Sequence, residues 1–277
     1  MNLPADFQFS QSSLQDFVDC PRRFFLKYIA GLQYPAPPSA PLRLFEEHMA
    51  QGVQFHRLVY QHFVGIPANL LAATIDDERV EAWWANFLAY DQLNQLPTDH
   101  RPEIALSAPL ADRRLVAKYD LIAVESGSRA VIVDWKTSLR RPKRETLARR
   151  LQTIVYPYLL VRAGAHLNDG QPIAPESVTM LYWFAEFPDQ PEVFTYSAEQ
   201  FGRDGETLER LAADILSRAD EVDFPLTEDV HRCGFCTYRS LCKRGDKAAS
   251  FLESDDDIEV DAGFAGVSLD QVAEVEF

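Results

Sequence analysis

Asp120 and Asp134 interrupt strongly apolar stretches of this chain, Leu115-Val-Ala-Lys-Tyr-Asp-Leu-Ile-Ala-Val124 and Ala130-Val-Ile-Val-Asp-Trp-Lys136. A carboxylate in such a setting loses hydration at a cost of several kcal/mol unless a cation or a metal compensates it. The two acids are equidistant from Gly127, the centre of a Ser126-Gly127-Ser128 turn. A hairpin symmetric about that glycine makes them cross-strand neighbours with Cβ atoms about 5 Å apart, where like charges repel and a divalent cation turns repulsion into coordination. A bulge at the turn would instead send one acid to the other face. Lys136, two residues beyond Asp134, shares its strand face. Two acids and one cation suit Mg²⁺ or Mn²⁺, and together they can activate a water and neutralise charge on a phosphate under attack. A bare Asp-x-Lys is common by chance, and the second buried acid gives it weight. Gln152 and Tyr156 lie one helical turn apart and can face the same place. His56 sits among Phe55, Leu58 and Val59, and taken singly reads as a core or surface histidine.

A second group of chemistry-bearing residues is Cys233-x2-Cys236-x5-Cys242, with Cys20 the only other cysteine. Four cysteines in a cytosolic chain point to a metal rather than to disulfides. Zinc and [4Fe–4S] both accept four thiolates, and spacing does not choose between them. Cys20 as an inert buried thiol, with His231 completing a three-cysteine site, is the alternative.

The formal net charge of −15 argues at first sight against a nucleic-acid partner. Nine of those charges lie between Glu253 and Phe277, where no basic residue occurs. Such a segment is expected to be disordered and to act as an interaction tail. Conversely Lys136 to Arg150 holds seven cations against Glu145 alone, and Arg140, Arg141, Lys143 and Arg144 are its candidates for gripping DNA phosphates. A solvated helix face is the commoner fate of such a run. Met1 to Phe7 has no basic region followed by an apolar stretch, and nowhere do eighteen apolar residues run together, so a cytoplasmic protein without a membrane span is expected. No Gly-Lys dipeptide occurs, hence no P-loop, and any ATP-driven unwinding must come from a separate helicase.

The elements that must position these residues follow from periodicity. Helices are expected over 13–30 with a break at Pro21, over about 43–63 and 78–95, over 144–163 and over 198–219. A Pro-rich linker (Pro35, Pro37, Pro38, Pro41) separates the first two. Strands are expected over 104–110, 115–124, 129–135, 178–187 and 193–196. That order predicts an α/β domain over 1–252, a mixed central sheet flanked by helices, with the acidic tail beyond.

The ordered set Gly52-x3-His56, Asp120 within Lys-Tyr-Asp-Leu-Ile, Asp134-Trp-Lys136 with Thr137, Gln152-x3-Tyr156, and Cys20-Pro-Arg-Arg-Phe-Phe ahead of three C-terminal cysteines resembles the RecB-like family of the PD-(D/E)XK nuclease superfamily. The resemblance spans roughly residues 10–245. It implies a restriction-endonuclease-like fold whose N- and C-terminal segments meet at a four-cysteine [4Fe–4S] cluster. It further implies that Asp120, Asp134, His56 and the Trp135 carbonyl ligate Mg²⁺ or Mn²⁺, that Lys136 positions the attacking water, and that Gln152 and Tyr156 support the site. Glu103 would correspond to an extra acid of some relatives. Lys118 departs from the pattern, which has glycine two residues before the aspartate. A non-catalytic, cluster-bearing DNA-binding or scaffold subunit and a zinc-bearing regulatory protein are the rival readings.

Overall fold

The structure, a computed structural model, describes residues 3–33 and 40–245. Most of the Pro-rich linker and the whole acidic tail therefore lie outside the described residues. Six strands form one mixed sheet: β1 Phe9–Ser10, β2 Asp99–Leu110, β3 Arg113–Glu125, β4 Arg129–Lys136, β5 Val178–Phe184 and β6 Glu192–Thr195. The helices are α1 Gln11–Asp19, α2 Pro21–Phe24, α3 Ala40–Phe63, α4 Ala68–Ala72, α5 Glu78–Leu88, α6 Arg144–Ala148, α7 Leu151–Ala163 and α8 Ala198–Ser217. This is the mixed α/β architecture of the restriction-endonuclease-like fold, as the pattern of elements predicts. Among the described residues no helix is long and apolar enough to cross a membrane.

The sheet buries a different apolar core on each face. Leu115, Ala117 and Tyr119 of β3, with Ile132, Met180 and Tyr182, pack against α1, α7 and α8. Leu121, Val133, Trp135, Leu181 and Trp183 pack against Phe55, Trp83 and Phe87 of α3 and α5. The alternation of β3 changes phase between Tyr119 and Leu121, because Ile122 and Val124 return to the first core.

The ladder explains that change. β2 pairs with β3 along its length, so β1 and β4 share the opposite edge: β1 takes Leu115 and Val116, β4 takes Leu121 to Glu125. Residues 117–120 lie where β4 turns away, at a fork in the sheet. Gly127, at φ 71°, makes the β3–β4 turn in a conformation that a side chain disfavours, and the pairs Leu121–Val133 and Ile122–Ile132 are symmetric about it.

Several expected boundaries move. The helix expected over 144–163 is two, because Arg150 is extended (φ −69°, ψ 142°) and the Thr153 hydroxyl donates to the Leu147 carbonyl across the break. The helix expected to reach residue 95 ends at Leu88 and resumes as a 3-10 turn, Asp91–Gln95. At the start, α1 begins at Gln11 rather than at residue 13, with Ser10 as its cap in a reciprocal box with Ser13. After Pro21 the helix widens into a π turn, Phe25–Ile29, as its last backbone bonds skip to i+5.

Candidate active site

The fork brings residues from opposite faces of the sheet to one place. His56 comes from α3, anchored by its neighbour Phe55, which stacks on Trp183 with ring centroids 6.1 Å apart. Close approach of α3 to the end of β4 needs Gly52, since a Cβ there would stand 3.0 Å from the Thr137 hydroxyl oxygen. From the other face α7 presents Gln152 and Tyr156, both buried.

Asp120 and Asp134 are not left facing each other. The ladder stops at Leu121–Val133, and the Asp120 carboxylate accepts the Trp135 backbone N–H at 2.9 Å while its other oxygen lies 3.3 Å from His56 Nδ1. Asp134 turns to Lys136 Nζ at 3.0 Å and accepts from the Gln152 amide at 2.5 Å. The Gln152 carbonyl in turn accepts from Lys136 Nζ at 2.8 Å, and Lys136 lies over the Tyr182 ring. The Tyr156 hydroxyl donates to the Lys118 carbonyl on the free edge of β3, and Tyr119 donates to the Tyr156 carbonyl, both at 2.9 Å. Tyr156 thus satisfies the backbone that the fork leaves without a strand partner. Trp135 sends its indole into the second core, so only its backbone borders the site.

The site has a floor and a mouth. Side chains of Asp134 and Lys136 are 6% and 11% exposed, whereas those of His56 and Asp120 are 32% and 20% exposed. Burial is the largest influence on His56 and opposes its charged form. The charge and hydrogen bond of Asp120, with Asp134 and Glu103 behind, outweigh it and hold the imidazole above its ordinary value. Burial likewise opposes ionisation of Asp120, but His56, the Trp135 N–H and Lys136 together hold its carboxyl below the usual range.

Two carboxylates and an imidazole make a donor set of hard oxygen and nitrogen that fits Mg²⁺ or Mn²⁺. Among the described residues no three such side chains already converge on one point. The cause is visible in the pairing: each acid is turned toward its own cation or N–H, and an incoming ion would compete for them.

The basic segment after β4 is less free than its sequence implies. Arg141 and Arg144 both pair with Glu192 of β6, the latter at 2.6 Å, and the Arg144 guanidinium lies 4.2 Å from the Phe194 ring centroid. Glu192 itself is buried. Sequence reasoning missed it, and the one available signal was an acid opening a short apolar strand. Arg140 and Lys143 are exposed.

Cys20 is buried, and Cys233, Cys236 and Cys242 are half-buried on short turns, all as free thiols. Burial pushes the Cys236 thiol up to about 11, with Cys20 and Cys233 adding to the shift against the pull of the Tyr238 N–H and Arg23. Burial also raises Cys233 and Cys242, and Cys20 contributes to both. Cys20 and Cys233 thus influence the other thiols across the two chain ends, while among the described residues no three cysteines form a group that could hold one metal ion. The ends are joined by more than cysteines. The Arg22 N–H and Nε donate to the Pro225 and Phe224 carbonyls, Phe224 stacks among Phe17, Phe24 and Phe25, and the Tyr238 hydroxyl donates to the Leu32 carbonyl.

The family model of the PD-(D/E)XK nuclease superfamily matches residues 8–243. No curated protein matches the chain. Among solved structures it is similar to SSO0001 (12% identity over 87% of this chain and 88% of that one, TM-score 0.39). It is also similar to a protein from Eubacterium rectale named provisionally as an exonuclease (10% identity over 78% of this chain and 86% of that one, TM-score 0.48).

Proposed function

Because this chain belongs to the PD-(D/E)XK nuclease superfamily, we propose that it is a Mg²⁺- or Mn²⁺-dependent deoxyribonuclease of the RecB-like branch, an exonuclease acting on DNA ends or single strands. The observation that carries this reading is the fork, where His56 and Asp120 meet Asp134, Lys136 and Gln152 from the opposite face of the sheet. Asp120, Asp134, His56 and the Trp135 carbonyl are the residues to hold the ion, and the bound ion supplies Lewis-acid polarisation and a water of lowered pKa. Lys136, held by Gln152 and Asp134, keeps a fixed ammonium beside the phosphate under attack. Its aliphatic stem and the buried floor exclude bulk water, which strengthens that charge. Tyr156 keeps the edge of β3 in place.

The cysteines are proposed to hold a structural [4Fe–4S] cluster. Four thiolates suit zinc as well as an iron–sulfur cube, and it is the resemblance of the Cys20-Pro-Arg-Arg-Phe-Phe segment and the three C-terminal cysteines that favours the cube. A brown protein with broad absorption near ~400 nm is the expected sign, zinc being d¹⁰ and colourless. The acidic tail is proposed to compete with DNA for the basic segment or to dock on a partner such as a helicase or another repair protein.

The test is cleavage of end-labelled single- and double-stranded DNA with Mg²⁺, Mn²⁺ or EDTA. Metal-dependent release of nucleotides from ends supports the reading. DNA binding without cleavage in either metal overturns it in favour of a non-catalytic subunit.

A further inference from the structure

Beside the two acid–cation pairs of the fork lies a third, whose lysine the superfamily pattern does not supply. Lys118 stands two residues before Asp120 on the stretch of β3 that, among the described residues, has β2 on one edge and no strand on the other, and its Nζ pairs with the Glu103 carboxylate of β2. Their side chains are 29% and 27% exposed, comparable to His56 and Asp120 at the mouth rather than to the buried floor. Glu103 pays for this position with its backbone. It falls between the pairs Pro102–Leu121 and Ile104–Tyr119, opposite Asp120, and has φ 55°, in the left-handed region that residues other than glycine rarely enter inside a strand. Backbone strain of this kind persists only where surroundings enforce it, and it concentrates at functional sites.

The chemistry explains why such a turn is worth keeping. A lysine two residues from Asp120 can reach that carboxylate with its flexible four-carbon stem, and an ammonium settled there would compete with a metal ion for the same oxygens. Glu103 draws the ammonium toward β2 instead. It also keeps a compact cation at the open side of the site, where a phosphate of the substrate strand would arrive, and a phosphate can displace an exposed carboxylate from a lysine at little net cost.

We propose that Lys118 binds a DNA phosphate at the mouth of the site and that Glu103 is its positioning residue, holding the ammonium off Asp120 until DNA replaces it. The proposal rests on the nuclease reading of the fork.

The experiment uses the full chain. Binding of a labelled single-stranded oligonucleotide is measured in EDTA over a range of salt, and Mn²⁺ affinity is measured by calorimetry without DNA. Lys118→Gln should weaken DNA binding about 3- to 10-fold and flatten the slope of log K against log salt by about 0.7, the value for one phosphate contact on a single strand. Lys118→Arg should restore both. Glu103→Gln should weaken Mn²⁺ binding about 10-fold by releasing Lys118 onto Asp120, and the double variant Glu103→Gln/Lys118→Gln should recover it. An unchanged salt slope in Lys118→Gln overturns the phosphate role. A Mn²⁺ defect in Glu103→Gln that the second substitution does not relieve makes Glu103 a metal ligand and overturns the positioning role. If the wild type cleaves no DNA in either metal, the nuclease reading fails, while the slopes taken in EDTA still decide the role of Lys118.

Discussion

The fork and the cysteine corner both gather groups from distant parts of the chain, but they are built on opposite terms. At the fork the sheet and two helices fix every side chain, and each carboxylate already has a cation: His56 for Asp120, Lys136 for Asp134, Lys118 for Glu103. At the corner Cys20 sits between α1 and α2, while the other three thiols sit on a 3-10 turn, Val230–Cys233, and the irregular chain after it, and burial raises those three toward their neutral form. The first region is charged and compensated before any metal arrives. The second is neutral, and the proposed cluster would have to displace its thiol protons on binding. A site of the first kind should lose activity without losing its fold, and one of the second kind should lose fold and ligand together.

The largest effect tests the fork. Asp134→Ala and Lys136→Ala should each lower metal-dependent cleavage by about 10³-fold or more, because one removes an ion ligand and the other the ammonium beside the reacting phosphate. Circular dichroism should stay native-like for Lys136→Ala, but its melting should fall, because the buried Asp134 carboxylate keeps only the neutral Gln152 amide in place of its cation. Wild-type rates in both variants would remove the fork from the chemistry.

The next effect tests the corner. Cys20→Ala should bleach the protein and reduce stability by about 2 to 4 kcal/mol, in line with opening a long covalent loop and weakening a metal-coupled fold. Cys20 is the one thiolate that can tie the first helix to the C-terminal segment, but the Phe224 stack and the Arg22 hydrogen bonds join the two ends as well. Protease sensitivity should therefore be confined to the region around 230–245, with α1 still docked. A Cys20→Ala protein that stays brown, with unchanged melting, would make Cys20 an inert core thiol.

What the sequence made legible follows the same division. Apolar runs, a Ser-Gly-Ser turn and motif spacing are local signals, and they sufficed for β3, β4 and the register that places Asp120 and Asp134 across the fork. The partners those acids choose were not legible, because the Trp135 N–H becomes available only where β4 leaves β3. Glu192 escaped for a related reason. Its arginines lie about fifty residues upstream, and a basic run reads as solvated until the strand beside it is known. The break at Arg149-Arg150 was invisible because nothing there is a helix breaker. It is imposed by tertiary packing, with Leu147 and Leu151 both buried.

Glu192 also sharpens the contrast, since it keeps two of the candidate DNA-gripping arginines compensated in the way the fork compensates its acids. Glu192→Gln should release Arg141 and Arg144 for phosphates and steepen the salt dependence of DNA binding by about 1 to 2 in log–log slope. Equal slopes in variant and wild type would show that this arginine pair serves the fold alone.

The smallest effect comes from a carboxylate that breaks the rule. Asp204 on α8 is buried with the Tyr196 hydroxyl at 2.9 Å as its hydrogen-bond donor, and no cation pairs with it at close range as Lys136 does with Asp134. Burial raises its pKa to about 6, against the lesser pull of Tyr196 and Arg203. A folded-state value above the unfolded one means that the contribution of Asp204 to stability is fully present below about pH 4 and is lost as pH rises through 6. At neutral pH its ionised form should cost the fold up to about 2 to 3 kcal/mol. Asp204→Asn keeps the acceptor for Tyr196 and removes the charge. Urea unfolding should therefore find the variant about 1 to 2 kcal/mol more stable than wild type at pH 7.5, with the gain vanishing by pH 4.5. A stability difference that stays constant across this range would mean that Asp204 is as well compensated as the acids of the fork.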